Sequence, residues 1–480
     1  MSFFTRRRFL SAAGAAAAPF VLRSRAGGQS KDRPNLVFLL GDDHRWDALG
    51  CMGNGIIRTP QIDGLAAGGC RFENMFVTTA ICVTSRASMF TGLHAHSHNI
   101  LRFQDEFPAG LFARSYPAML KQAGYRNGFV GKWGIDGGTL PKQAFDYFRG
   151  FRGQGQYFPE PGYKGKHLTE QMGDQMVEFI DGCSPGQPFH LSVSFKAPHV
   201  QDQDPLQFLA DPRHASLYRD VEIPMPETAA PRYISQLPVS VQGSEARRRW
   251  AVRFSTPELY QRSVKNYYRL ITGIDDQVGR LREALARRGV SENTVIVYAG
   301  DNGFYLAEHG LAGKWFMHEE SIRVPLVIHD PRAPKSQLGR ALQPMALNID
   351  IAPTLLAYAG VKAPSSMQGR ALQPLLAGAE ADWRKDWFYA HHFDHEWIPK
   401  TEGVRTADWK YTEYLGESPK FEELFHLAAD RDETRNLAKD AAHSSRLDAL
   451  RERRQQWLSA LAKWTPECNW STIEPEARAI

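Results

Sequence analysis

Cysteine is scarce in this chain, with five in 480 residues, and that scarcity excludes two roles. No CxxC pair or Cys/His cluster has the spacing of a zinc site. An odd count in so long a chain is not a disulfide framework either; with Cys82 set aside, Cys51, Cys70, Cys183 and Cys468 allow three pairings or none. Net positive charge is nearly as scarce. The formal +5 equals Arg6, Arg7, Arg8, Arg23 and Arg25, all of which precede the first acidic residue, Asp32. From residue 31 onward the chain is neutral and lacks the electrostatic footprint of a nucleic-acid binder. Beyond the first 30 residues no apolar run reaches the ~20 residues of a membrane span. There is no internal repeat. What is there, 42% hydrophobic and 23% charged residues, is the composition of an ordinary globular protein.

Phe9 to Leu22 is a short Ala-rich apolar run behind three arginines, which reads as an export signal over residues 1–30. Thr5-Arg6-Arg7-Arg8-Phe9-Leu10 resembles a twin-arginine signal, so the twin-arginine export machinery is an expected partner and the expected location is periplasmic or secreted.

Four apolar runs stop abruptly at polar residues. Asn35 to Leu40 ends at Gly41-Asp42-Asp43, Gly128 to Val130 at Gly131-Lys132, Phe189 to Phe195 at Lys196-Ala197-Pro198-His199, and Thr294 to Ala299 at Gly300-Asp301-Asn302-Gly303. Continuous apolar runs are the mark of buried parallel strands, and open α/β sheets bind ligands beyond their carboxyl ends. The four tips are therefore expected to converge. Val264, Tyr267, Ile271, Ile274, Val278, Leu281 and Leu285 predict one long core helix from Pro257 to Arg288, closed by Gly289, with no functional role for its tyrosines. Gln201 to Ser255 shows no sustained period and reads as a functional loop system. From about Glu380, short strands with a turn at Ala407-Asp408 and a helix over Arg446 to Leu461 suggest a smaller α+β domain over 380–480, behind a catalytic domain over 31–379.

Asp42, Asp43, Asp301 and Asn302 form an all-oxygen set suited to a hard cation such as Ca²⁺ or Mg²⁺. Taken singly, Asp-Asp and Asp-Asn-Gly are turn formers; two such pairs after buried runs favour the metal. Cys82, near a probable helix start and four residues before Arg86, fits an activated nucleophile as well as inert packing. His94, His96 and His98 alternate, but a second metal site is not expected there. His391, His392 and His395 have no metal spacing and read as pocket rim or surface.

Cys82-Val83-Thr84-Ser85-Arg86, followed by Ala87-Ser88 and Thr91-Gly92, resembles the signature of the type I sulfatases. Asp42-Asp43-His44-Arg45, Gly131-Lys132-Trp133, Ala197-Pro198-His199, Gly300-Asp301-Asn302-Gly303, Glu308-His309-Gly310-Leu311 and Glu319 to Pro325 follow the same family in order. The resemblance implies an alkaline phosphatase-like α/β fold, a large mostly parallel sheet sandwiched by helices. It implies that Cys82 is oxidised to formylglycine by a formylglycine-generating enzyme. One calcium would be held by Asp42, Asp43, residue 82, Asp301 and Asn302. Arg86, Lys132, His199 and Lys314 would be catalytic, and the substrate a sulfate monoester, with a sulfated carbohydrate the expected one. A phosphonate or phosphodiester hydrolase with the same nucleophile, and an inactive glycan-binding relative, are the alternatives. Thr84 departs from the Pro or Ala commonest in the signature. Gly134 replaces the usual His two residues after the lysine, and His44 and His98 are the candidates to take over its role as base.

Overall fold

The computed structural model describes residues 33–464. The expected signal segment and Cys468 lie outside the described residues. Eight strands form the main sheet: β1 (Asn35–Asp42), β2 (Cys70–Phe72), β3 (Arg126–Lys132), β4 (Tyr147–Phe151), β5 (Phe189–Pro198), β6 (Thr294–Gly300), β7 (Leu326–His329) and β8 (Arg340–Leu342). Their order across the sheet is β8-β2-β7-β6-β1-β5-β3-β4, and β7 alone runs against the rest. The four apolar runs are the central strands β6, β1, β5 and β3, all parallel.

Alternation along β1 sends Leu36, Phe38 and Leu40 into one core and Val37 and Leu39 into the other. Both faces are covered, which is why the strand carries no polar alternation. One face packs the helices α1 (Cys82–Thr91), α2 (Tyr116–Gln122) and, farther along the chain, α5 (Ile351–Tyr358); the other packs α3 (Leu168–Asp181) and α4 (Pro257–Arg287). The expected stripe of α4 is buried throughout. Gly289 (φ 65°) sits in the left-handed conformation that stops the helix.

Strands β9 (Asp386–His391), β10 (Thr401–Thr406), β11 (Trp409–Tyr414) and β12 (Phe421–His426) form an antiparallel sheet in sequence order. Helix α6 (Ser444–Leu461) covers one side of it through Leu447, Leu450 and Leu461. The other side joins the main core through Trp387 and Tyr389. The described residues 33–464 cluster as one body, so the division at 379/380 is a proposal about folding units. The loop system expected over 201–255 carries several short helices, the longest being Glu245–Arg253. Cys51, Cys70, Cys82 and Cys183 are free thiols. No helix among the described residues is long and apolar enough to cross a membrane.

Candidate active site

Parallel pairing places four carboxyl ends at one edge: Gly41 is in register with Gly300, Asp42 with Pro198, and Gly131 with Ser194. Asp42 closes β1, and Asp43 turns out of the strand with φ 64°. Facing them, α1 is buried along its whole length and begins at Cys82. The unsatisfied N–H groups of its first turn favour negative charge there.

Around the Cys82 thiol the side chains interlock. Its sulfur lies 3.1 Å from Asp42 Oδ1 and 3.3 Å from Lys314 Nζ. Lys132 Nζ pairs with Asp42 and donates to Gln154 Oε1 at 2.6 Å. Lys314 Nζ pairs with Asp43. The Arg86 guanidinium donates from Nε to Asp301 Oδ2 at 2.9 Å and from Nη1 to the Lys132 carbonyl at 2.7 Å, while Nη2 lies 3.3 Å from Asp42 Oδ2. His199 Nδ1 is 2.7 Å from the Val200 carbonyl, which leaves Nε2 facing Asp43 Oδ2 at 3.6 Å. All of these residues except Gln154 are buried.

Burial raises all three carboxyls, and the environment then separates them. Asp42, ringed by Lys132, His199, Arg86 and Lys314, is held well below the usual range. Asp43 stays raised by burial and Asp42 despite Lys314. Asp301 is pushed up to about 6, by burial first and Asp42 second. Two carboxyls held above their ordinary range beside a third that is ionised leave room for one more cation to favour the charged forms. Asn302 supplies an independent sign of the same thing. Its Oδ1 is buried without a hydrogen-bond partner, while Nδ2 donates to Asp43 Oδ1 at 2.6 Å. Ligand atoms of Asp42, Asp43, Cys82 and His199 lie within 4.8 Å of one another. The residues therefore fit a hard dication, with Asn302 Oδ1 ready to contribute. Asp301 is more engaged than the sequence suggests, since its Oδ1 accepts from the Asp43 N–H at 3.0 Å and its Oδ2 from Arg86.

Every site residue named from the sequence is in this cluster, but the two stand-in bases are not. His44 turns away, with Nδ1 2.8 Å from the Tyr298 hydroxyl and Nε2 3.3 Å from the Ala48 carbonyl. His98 is held with Nε2 3.0 Å from Ser88 Oγ and Nδ1 accepting from the Ile100 N–H. Both rings have structural partners on each nitrogen, so neither is free to act as a base at residue 82. The place of a side chain at 134 is taken by Arg86: a Cβ there would lie 2.7 Å from Arg86 Cδ, and Gly134 has φ 79°.

Two contributors, Tyr267 and Gln154, carry no signal in the sequence. Tyr267, on the core face of α4, donates to the Asp43 carbonyl at 2.6 Å and accepts from the Arg45 N–H at 3.1 Å. Its helical spacing accounts for it fully as a core residue, and only the tertiary fold reveals the hydroxyl's task. Gln154 reaches Lys132 from a Gly-rich loop with no recognisable pattern. Lys196, at the polar tip expected after the apolar run of β5, lies 4.8 Å from the Tyr157 ring centroid and is lowered to about 8 by burial and by Lys132.

A buried thiol between three carboxyl groups and three fixed cations, at the carboxyl edge of a parallel sheet, makes a pocket suited to a hard cation and an anion together. The sulfatase profile matches residues 34–361, and the chain belongs to the sulfatase family: it is a sulfuric ester hydrolase. The profile of the N-sulphoglucosamine sulphohydrolase C-terminal region matches 307–459. The chain is 28% identical to an N-acetylglucosamine-6-O-sulfatase of Bacteroides thetaiotaomicron, covering 87% of this chain and 85% of that one. It is 27% identical to an arylsulfatase of Clostridium perfringens, covering 88% and 93%. A solved complex with D-glucosamine-2-N,6-O-disulfate, described as its substrate, superposes with TM-score 0.76 and 26% identity over 93% of this chain and 100% of the other. The phosphonate monoester hydrolase of Agrobacterium radiobacter shares the fold, at TM-score 0.69 and 21% identity over 90% and 96%.

Proposed function

We propose that this sulfatase hydrolyses sulfate monoesters on carbohydrates outside the cytoplasm, with formylglycine made from Cys82 as nucleophile and one calcium held by Asp42, Asp43, residue 82, Asp301 and Asn302. The observation that carries the reading is the placement of Cys82, the first residue of a buried helix, within reach of Asp42 and Lys314. Likeness to sulfatases named for N-acetylglucosamine 6-sulfates supports a carbohydrate ester over the phosphonate and phosphodiester alternatives. The intact set of carboxylates and cations argues against an inactive glycan-binding relative. Calcium would supply charge neutralisation at the sulfate oxygens, and the converted Cys82, as a hydrated aldehyde, the attacking oxygen.

The rest falls to the chain's own side chains. Three aspartates and three cations balance, so a bound dication leaves an excess of positive charge where the anion enters. Arg86 and Lys132 are locked in place by the Asp301 carboxylate, the residue 132 carbonyl and Gln154, so they face the sulfate without reorganising. Lys314, beside the residue 82 sulfur, and His199, whose Nε2 faces Asp43, are the side chains that would give a proton to the departing alcohol. Lys314 is aimed by the backbone, between Gly313 (φ 95°) and Trp315 (φ 91°), whose carbonyl is anchored by the Tyr389 hydroxyl at 2.6 Å.

The twin-arginine reading adds that a formylglycine-generating enzyme acts on the chain before export, in the cytoplasm, and that the folded product works in the periplasm or outside the cell. Mass spectrometry of the peptide containing residue 82, together with release assays on sulfated glycans, aryl sulfate and aryl phosphodiesters, tests the reading. Formylglycine and sulfate release from glycans are expected. A fully active preparation with only unmodified cysteine would overturn the nucleophile, and faster phosphodiester than sulfate hydrolysis would overturn the substrate.

A further inference from the structure

We infer that His96, His392 and Glu402 form a second metal site, for a divalent transition ion such as zinc, that ties the main fold to the C-terminal sheet. The three residues come from separate segments. His96 lies in the short turn of helix Ala95–His98 that follows α1, His392 directly follows β9, and Glu402 sits on β10 opposite Ala390. One ligand atom from each lies within 4.8 Å of the other two. His392 Nε2 is 2.9 Å from Glu402 Oε1, and the imidazole rings of His96 and His392 are 5.0 Å apart at their centroids, inclined at 65°. A tetrahedral zinc ion with bonds of about 2.0–2.2 Å needs ligand atoms about 3.4 Å apart. The His392–Glu402 pair at 2.9 Å and the bound of 4.8 Å on the rest bracket that value, so side-chain rotations are enough to close the site.

The donor chemistry separates this site from the catalytic one. Two imidazoles and one carboxylate suit zinc and its neighbours, whereas calcium takes oxygen ligands. Glu402 is 5% exposed, and a buried carboxylate needs counter-charge. Arg454 supplies part of it, with Nη2 2.5 Å from Glu402 Oε2 and Nη1 3.2 Å from Glu413. That pairing holds the carboxylate by its outer oxygen and leaves Oε1 toward the imidazoles, as an outer-sphere partner of a ligand should. His96 and His392 are only half-buried, so an ion has a way in and a water can complete the tetrahedron. Binding would replace the His392–Glu402 hydrogen bond by two metal bonds and release the shared proton. No residue of this set belongs to the cluster around Cys82.

The test uses the full chain with its catalytic site saturated with calcium. Equilibrium dialysis against micromolar zinc and metal counting should find one zinc per chain, with a rise of a few degrees in Tm. In His392→Ala and Glu402→Gln the zinc should be held at least tenfold more weakly, with formylglycine content at residue 82 and sulfate release unchanged. His96→Gln, at a half-exposed position, gives the same readout should His392→Ala not fold. Failure of the calcium-saturated chain to retain zinc, or equal retention by all three variants, overturns the site. A failed sulfatase reading would leave the zinc count untouched, so the two outcomes are distinguishable.

Discussion

At the scale of the residue, the centre depends on where charge is fixed, and single substitutions should show it. Asp301→Ala removes the acceptor of both Arg86 Nε and the Asp43 N–H. It should lower kcat/KM by roughly 10²–10³-fold, the cost of losing one fixed group that stabilises charge in the transition state, and weaken calcium binding in a titration of the metal-stripped protein. Chelation should abolish turnover and calcium restore it; full activity in metal-free protein would contradict the hard-cation reading. Gly134 makes the opposite point, that an absence can be structural. A side chain there meets Arg86 and demands φ 79° of an L-residue. Gly134→Ala should therefore lower both stability, by roughly 1–3 kcal/mol, and activity, and Gly134→His should not improve turnover even though the family commonly has that histidine. Steady-state kinetics with a melting curve for each variant checks both. Asp42, Asp43, Lys132, His199, Asp301 and Asn302 are legible in the sequence because they stand where apolar runs stop, whereas Arg86, on a helix, and Lys314, outside the main sheet, take their parts only from the family resemblance. His44 and His98 are misleading there because chain proximity to a motif does not say which way a ring turns.

At the scale of the element, the parallel sheet and the long α4 are readable from pattern alone. A continuous apolar run bounded by turn residues fits a strand covered on both faces, and a 3.6-residue stripe sustained over about six turns fits only a helix with one face on a core. The short helices within 201–255 and the strand β12 carry no such mark. Glu245–Arg253 is a run of charged residues whose packing is through Ala246 and Arg253, and β12 carries Glu422 and Glu423, whose partners include Arg451 on α6 and the Tyr414 hydroxyl on the neighbouring strand. Helix α4 shows how an element can be read correctly and its task still missed. Tyr267 is core by burial, yet its hydroxyl is the link between the Asp43 carbonyl and the Arg45 N–H. Tyr267→Phe keeps the ring packing and leaves two buried backbone groups unpaired. The expected cost is about 1–3 kcal/mol in a denaturant titration, accompanied by weaker calcium binding as the Asp43 turn loosens. A Phe variant that loses stability while binding calcium as tightly as before would confine the Tyr267 hydroxyl to pairing the backbone, with no part in shaping the metal site.

At the scale of the whole molecule, the C-terminal sheet braces the segment that carries Lys314, although no residue of the Cys82 cluster lies on it. Tyr389 on β9 anchors the carbonyl next to Lys314, and the segment that follows Lys314 runs into Glu319, which joins the sheet through buried charges. Arg405 on β10 donates to both Glu319 oxygens at 3.0 and 3.1 Å, and Lys410 on β11 lies 3.2 Å from Oε1. Burial alone would raise the Glu319 carboxyl, but Arg405 and Lys410 hold it far below the carboxylate range. Removing one member of such a buried set strands the others: Glu319→Gln should destabilise the protein by about 3–5 kcal/mol. Sulfate release should fall with it as the Lys314 segment loses its anchor. The sign of the pH dependence follows from the lowered value. Ionised Glu319 favours the folded state above the unfolded pKa of about 4.3, and that contribution is lost as pH falls through the depressed native value. The gap in Tm between wild type and Glu319→Gln should accordingly be full at about pH 7 and shrink in strong acid. Melting curves from neutral pH downward measure it, and a gap that widens on acidification would mean that the glutamate is neutral in the native protein and that the sheet is held to the Lys314 segment by something other than this charge set.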